Sequence, residues 1–299
     1  MNNVDKVIRQ FRLQVLEVRN VPESYSSEVY RIQTDFGQDM YIKIPYNKQK
    51  LYREHEILKR LDGHLPVPKV LDYWEGDDSI SGALLLEAID GEPVSGHASR
   101  TLAFEIGCLH AQLHNVVMPG YGVDHPDGFQ QVEGNDWRAY IQGCFGDCKK
   151  TCQEVLEPEL YDKCLDYFDG VFSQLPEPDG PCLVHMDFRP GNLLVRDGRL
   201  VGLIDFESAR GGSSEVDFTK VDRYLLANDP QAKESYIKGY QSVRPIIDLD
   251  TVLPFYSFFD AFSAVVWCKT RGLEKNRSFL DESIGVLRHA TGTVLRKEV

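Results

Sequence analysis

The stretch LVHMDFRPGNLLVRDGRLVGLIDFE, residues 183 to 207, sets His185, Asp187, Asn192 and Asp205 on one strand-loop-strand unit. Asp197-Gly198 between the apolar runs Leu193-Leu194-Val195 and Leu200-Val201-Gly202-Leu203-Ile204 reads as the tight turn of a hairpin. That hairpin brings Asp205 back beside Asp187 and Asn192. Two carboxylates and an amide converging on one spot suit a hard cation and the phosphates it bridges. Asp187 is then placed to accept or orient the proton of an attacking hydroxyl, with Asn192 and Asp205 offering oxygens to magnesium. The competing reading is a polar turn between buried strands, with Asp187 and Asn192 satisfying loop amides.

On these residues the chain resembles the aminoglycoside phosphotransferase family, related in fold to protein kinases and choline-type small-molecule kinases. His185-Met186-Asp187 with Asn192 is similar to that family's catalytic loop, and Ile204-Asp205-Phe206-Glu207 to its metal-binding aspartate motif. Glu207 stands where protein kinases carry glycine. Tyr41-Ile42-Lys43-Ile44 resembles the strand bearing the phosphate-binding lysine. Arg53-Glu54-His55-Glu56-Ile57-Leu58 resembles the helix bearing its glutamate partner, Glu54 by motif position. The implied pair is a point charge on the phosphates held in place by a carboxylate. Without the downstream loop, Lys43 reads equally as a solvent-facing lysine on a half-buried strand.

The resemblance implies a two-lobed, protein-kinase-like α+β fold. Residues 1–87 would form a nucleotide-binding lobe, a small antiparallel β-sheet with one helix. Residues 88–299 would form a larger, mainly helical lobe with the catalytic loop and acceptor site. It also implies Mg2+, ATP or GTP as phosphoryl donor, and a small acceptor hydroxyl. His185 would support the loop, backbone groups of Glu87, Ala88 and Ile89 would meet the purine edge, and Ile42 and Leu194 would wall it. Asp217 would brace the loop from a helix start. Glu23-Ser24-Tyr25-Ser26-Ser27-Glu28 lacks the glycines of the protein-kinase phosphate loop, so Ser24, Ser26 and Ser27 are the candidate phosphate contacts. An ordinary polar hairpin tip is the alternative.

Charge is uneven along the 299 residues, whose formal net is −13. Residues 1 to 86 carry 13 acidic and 12 basic side chains, and residues 87 to 299 carry 33 and 21. An acidic second part would draw a cationic acceptor such as an aminoglycoside-type antibiotic, or serve solubility alone. Asp222, Asp260 and Glu207 are the candidate amine binders, with Asp229, Asp248 and Asp250 behind them and Trp137, Phe259 and Trp267 as ring walls. Glu207 and Arg210 would face the acceptor or pair with one another. Without a basic patch, nucleic acid is not an expected partner. A choline-, homoserine- or sugar-like acceptor would use the same catalytic set; a nucleotide-binding pseudoenzyme that only senses or scaffolds is the other alternative, which the intact set Lys43, Asp187, Asn192 and Asp205 argues against.

At 42% hydrophobic the chain can bury a large core. The apolar runs Ala83 to Ala88 and Ala261 to Trp267 are too short to cross a bilayer, and the amino terminus has no apolar signal core, so a cytoplasmic protein without a membrane is expected. Seven scattered cysteines fit reduced thiols. Cys144, Cys148 and Cys152 fall on one helix stripe, read as a packed face more readily than a soft-metal site. His110 and His114, four apart and without a third ligand nearby in sequence, read as packed histidines. Strands are expected over Phe11 to Val18, Glu28 to Thr34, Met40 to Ile44, Val70 to Trp74 and Gly82 to Ile89, with a turn over Phe36 to Asp39. Helices are expected over Lys50 to Leu61, through Leu102, Ile106, Leu109 and Leu113, and over Glu157 to Leu175, Pro230 to Ser242, Leu249 to Arg271 and Asn276 to Arg296.

Overall fold

The computed structural model describes residues 2–22, 27–35 and 37–293. Its first element is a helix the sequence reading missed, α1 (Asn3–Gln10), which starts at an Asn2 cap and buries only Val4 and Val7. Five strands follow: β1 (Val15–Asn20), β2 (Ser27–Thr34), β3 (Asp39–Pro45), β4 (Val70–Trp74) and β5 (Ala83–Glu87). They form an antiparallel sheet in the order β1-β2-β3-β5-β4. α1 roofs one face of it, packing Val4 and Val7 against Ile32, Met40, Ile42, Ile44 and Leu85. The expected strand from Phe11 therefore begins later, because Phe11 closes α1.

Between β3 and β4 runs α2 (Lys48–Leu61), two residues longer at its start than expected, since Asn47 caps it by accepting from the Lys50 amide at 2.9 Å. Leu51, Ile57, Leu58 and Leu61 share its buried face. Glu54 is buried there too, as the third strand's partner must be if it is to meet a side chain of the sheet.

The next segment carries β6 (Glu92–Pro93), α3 (Arg100–His114), β7 (Gly122–Val123), β8 (Gln130–Gln131), α4 (Trp137–Val155), α5 (Pro158–Phe172) and β9 (Cys182–Val184). After it come β10 (Leu193–Arg196), β11 (Arg199–Leu203) and β12 (Arg210–Gly212). The last helices are α6 (Phe218–Val221), α7 (Pro230–Gln241), α8 (Leu249–Arg271) and α9 (Arg277–Ala290). The β10–β11 turn is the expected one, with Asp197 and Gly198 both left-handed at φ 52° and 74°. α3 and α7 pack backbone to backbone. A Cβ at Gly107 would collide with the Tyr236 carbonyl, and one at Gly239 with the Phe104 carbonyl.

Two helical cores result. One joins α2, α3, α6 and α7 to the hairpin strands through Leu58, Ile106, Phe206 and Phe218. The other is phenylalanine-rich and holds Phe145, Phe168, Phe255, Phe258 and Phe262 between α4, α5, α8 and α9. Trp137 is 1% exposed in this second core, its indole N–H donating to the Tyr256 hydroxyl at 3.1 Å, so it is no acceptor wall. At 23 residues α8 is long and apolar enough to span a bilayer, which the short apolar runs did not suggest. Phe255, Phe258 and Phe262 are buried in this core instead. Cys152 is buried and Cys144 and Cys148 half-buried on α4, and all seven cysteines are free thiols.

Candidate active site

β9 is buried and delivers the chain to His185, where the backbone turns through Met186 at φ 68°, a left-handed conformation that costs energy for a residue with a side chain. Asp217, at the start of α6, holds that turn. Its carboxylate accepts the His185 amide at 2.5 Å and the Met186 amide at 2.6 Å. Behind it, His114 Nε2 lies 3.3 Å and His110 Nε2 3.6 Å from the same oxygen. The Tyr236 hydroxyl meets His110 Nδ1 and the Tyr240 hydroxyl meets His114 Nδ1. The histidine pair is packed, as expected. Its third neighbour, Asp217, is far away in sequence and adjacent in space. Burial alone would raise the Asp217 carboxyl, but hydrogen bonding by the two histidines holds it far below its ordinary value.

His185 is fully buried and ties the loop to the next strand. Its Nε2–H donates to the Ile204 carbonyl at 3.0 Å, which leaves Nδ1 to accept the Asp187 amide at 3.2 Å. Burial keeps the ring neutral by lowering its pKa. The residue after Ile204 is Asp205, again left-handed at φ 71°. Two non-glycine residues in that conformation, one directly after His185 and one directly after its partner Ile204, mark backbone held against its preference.

Asp187 is gripped from three directions. Lys220 Nζ is 2.7 Å from Oδ1, Arg189 Nε is 3.0 Å from Oδ2, and the Asn192 amide nitrogen donates to Oδ2 at 2.9 Å. Burial pushes its carboxyl up, and the Lys220 and Arg189 charges more than reverse this, so it stays ionised. Asn192 spends its amide nitrogen on Asp187, including the backbone carbonyl at 2.8 Å. Its oxygen makes none of these bonds and suits a cation.

Across from this loop lies a second charge cluster. Lys43 Nζ, buried on β3, lies 2.7 Å from Glu54 Oε2, 2.5 Å from Asp205 Oδ1 and 3.5 Å from Glu207 Oε2. Glu54 also takes the Phe206 amide at 3.1 Å. Burial alone would discharge Lys43, but Asp205, Glu54 and Glu207 drive its pKa up. Burial drives Glu54 up as well, and Lys43 offsets this only in part. The acid oxygens of Glu54, Asp205 and Glu207 lie within 4.8 Å of one another. Lys50 answers Glu207, and the carboxylates still outnumber the lysines; Asp205 and the Asn192 oxygen are hard donors of the kind a divalent cation takes.

Several expected contacts differ. Ser24 and Ser26 lie outside the described residues. Ser27 is buried and donates to Glu207 Oε2 at 2.6 Å, so its hydroxyl is already committed. Glu207, 3% exposed, is held by Lys50 at 2.6 Å as well, and its backbone carbonyl takes Arg53. It therefore faces β2 and α2 instead of an acceptor. Arg210 does not pair with it but donates to the Tyr140 hydroxyl. Asp222 is bridged to Lys233 at 2.8 Å and Asp260 to Arg223 at 3.2 Å, so neither is a free amine binder. Asp229 and Asp248 are helix caps. Ile42 lies in the core under α1 and not at a cleft wall. Glu87 ends β5, exposed and paired with Met40, and Ile89 then packs over Gly202 of β11. Sequence reasoning missed Lys220 and Arg189, whose only signal is position: three residues after Asp217 and two after Asp187.

Residues 17–272 match the family model described as "Phosphotransferase enzyme family", and the chain belongs to that family, the aminoglycoside phosphotransferase type. Among solved structures, the GDP and kanamycin complex of APH(2")-IIia superposes with a TM-score of 0.73 at 15% identity, covering 98% of this chain and 99% of that one. A thermostable mutant of APH(4)-Ia with ADP and hygromycin B gives 0.72 at 16%, covering 99% and 100%. A macrolide 2'-phosphotransferase from Brachybacterium faecium gives 0.62 at 16%, covering 94% and 95%. At such identities these show the fold, a kinase-like α+β architecture. A homoserine kinase from Gluconobacter oxydans (strain 621H) is 26% identical over 160 residues, 50% of this chain and 46% of that protein. This chain thus matches less than half the length of that relative. The chain is thus a member of a family of phosphotransferase enzymes.

Proposed function

We propose that the protein moves the γ-phosphoryl group of ATP or GTP to a hydroxyl of a small molecule, with residues 1–87 and 88–299 acting as the two lobes around the nucleotide. The observation that carries this reading is the Asp187–Asn192 loop, pinned by Asp217 and His185 opposite the Lys43–Glu54–Asp205 cluster. In the proposed step the acceptor oxygen bonds to the γ-phosphorus while the bond to the bridging oxygen breaks. The nucleoside diphosphate leaves with the electron pair, and the hydroxyl proton goes to an Asp187 oxygen. Asn192 and Asp205 would hold Mg2+, which when bound neutralises phosphate charge. Lys43 would exchange Asp205 for phosphate oxygens, with Glu54 keeping its ammonium in place. The backbone of Glu87, Ala88 and Ile89 would meet the base. The intact set Lys43, Asp187, Asn192 and Asp205 argues against a pseudoenzyme, and seven free thiols fit a cytoplasmic setting.

The test is magnesium-dependent ADP and GDP release with a mixed panel of aminoglycosides, macrolides, choline, hydroxy amino acids and sugars, with Asp187→Asn alongside. Turnover lost in the variant is expected. Nucleotide bound with no phosphate transferred to any acceptor would refute a kinase.

A further inference from the structure

The charges around Asp187 continue beyond the catalytic loop in an alternating row. Arg189 pairs with Asp187, Asp187 with Lys220, and Asp260 is the strongest of the charges that stabilise the Lys220 ammonium. Asp260 in turn pairs with Arg223, which reaches Glu282 at 4.0 Å. Near its middle the row is poorly closed: Arg223 Nη1 and Asp260 Oδ2 are buried side-chain atoms that touch without hydrogen-bond geometry. At its other end the Arg189 guanidinium, 41% exposed, lines an open groove of about 240 Å³ with Gly96, Pro190, Gly191 and Tyr224. The two cations on the carboxylate that would take the acceptor proton are thus a lysine and an arginine.

A polycationic acceptor would bring several ammonium groups against Arg189 and Lys220, at a cost that like charges in a partly desolvated site do not recover. A guanidinium fork and a lysine are instead what a carboxylate seeks. Glu282, the more exposed carboxylate at the far end of the row, suits an ammonium. We infer that Arg189 and Lys220 form the anion-binding half of the acceptor site, so that the acceptor is a zwitterionic hydroxy amino acid whose carboxylate they hold. This rests on the kinase reading above and narrows its acceptor. When the acceptor carboxylate takes Lys220 and Arg189, those cations turn from Asp187 toward it, and the Asp187 oxygens are freed for the incoming hydroxyl. Binding of the correct acceptor and exposure of the base are then one event.

The experiment is ATP- and magnesium-dependent phosphorylation of L-homoserine, L-serine and L-threonine. Each is paired with the amino alcohol left when its carboxylate is removed, with kanamycin and hygromycin B added. At least one amino acid is expected to be phosphorylated with kcat/KM at least about 30-fold above its amino-alcohol partner, the usual effect of losing one side of a held charge pair. In Lys220→Met and, separately, Arg189→Gln, that ratio should collapse toward one. Because it compares two acceptors on the same protein, general damage to the fold leaves the ratio unchanged. Lys220→Arg should restore part of it. Phosphorylation of an antibiotic or amino alcohol as well as any amino acid, or of no amino acid while others turn over, overturns the inference and leaves the kinase standing. Absence of turnover on every acceptor overturns it too, and with bound nucleotide it refutes the kinase reading as well.

Discussion

Two charge clusters face one another in this molecule, and they are built with opposite excess. Around Lys43, three carboxylates surround one lysine, with Lys50 reaching only the outermost of them. Around Asp187, two cations and an amide surround one carboxylate. The first is short of positive charge and the second of negative. A metal-bearing triphosphate would bring cations to the first, and an anionic acceptor group would complete the second. The difference teaches that the proposed acceptor side is not the acidic funnel that the chain's net charge of −13 suggests.

The strongest test of the contrast is Asp187→Asn. Turnover should fall about 10² to 10⁴-fold, the usual range for a general base, while nucleotide affinity measured by calorimetry stays near that of the parent protein. A loss of nucleotide affinity equal to the loss of turnover would merge the two clusters into one. Next come matched lysine removals. Lys43→Met strands buried carboxylates and should cost about 3–5 kcal/mol in urea unfolding. Lys220→Met leaves Asp187 with Arg189, Asn192 and some solvent, and should cost about 1 kcal/mol or less. Equal costs would show the clusters to be equally buried and erase the asymmetry.

A further effect concerns what stands behind the Asp187 loop. Burial and the neighbouring His114 lower the His110 pKa from 6.5 to about 3, so the folded state keeps this ring neutral. Below pH 6.5 the unfolded chain gains a proton that the fold refuses. Stability should therefore be lost as pH falls from about 6.5 to about 3, at about 1.4 kcal/mol per pH unit for this group. His185 acts in the same direction, since burial lowers it too. In His110→Gln the slope of unfolding free energy between pH 6 and pH 5 should flatten by about that amount. An unchanged slope would mean that the pair behind Asp217 is already charged and belongs to the acceptor-side electrostatics.

Much of this was written locally in the chain. The β10–β11 turn was legible because Asp197-Gly198 between apolar runs leaves few other conformations. α2 and α3 were legible from their 3.6-residue apolar period, and Asp187, Asn192 and Asp205 because one short loop and one hairpin carry all three. α1 was not, since eight residues with two buried valines give too little period to detect. Asp222, Asp260 and Glu207 misled for a different reason. A carboxylate's availability depends on which cation the fold brings to it, and Lys233, Arg223 and Lys50 arrive from other turns and helices.

The sequence by itself determined the catalytic hairpin and the identity of its chemical groups, because those follow from short-range pattern: strand, tight turn, strand, and polar residues at fixed offsets, which also carry the resemblance that implies the fold. Only the tertiary structure decided the charge around each group. It set Lys220 on Asp187, Glu207 on Ser27 and Lys50, and two histidines on Asp217 across separations of 33, 180, 157 and about one hundred residues. Coulomb interactions depend on distance in space and on burial, and neither quantity exists until the chain has closed on itself.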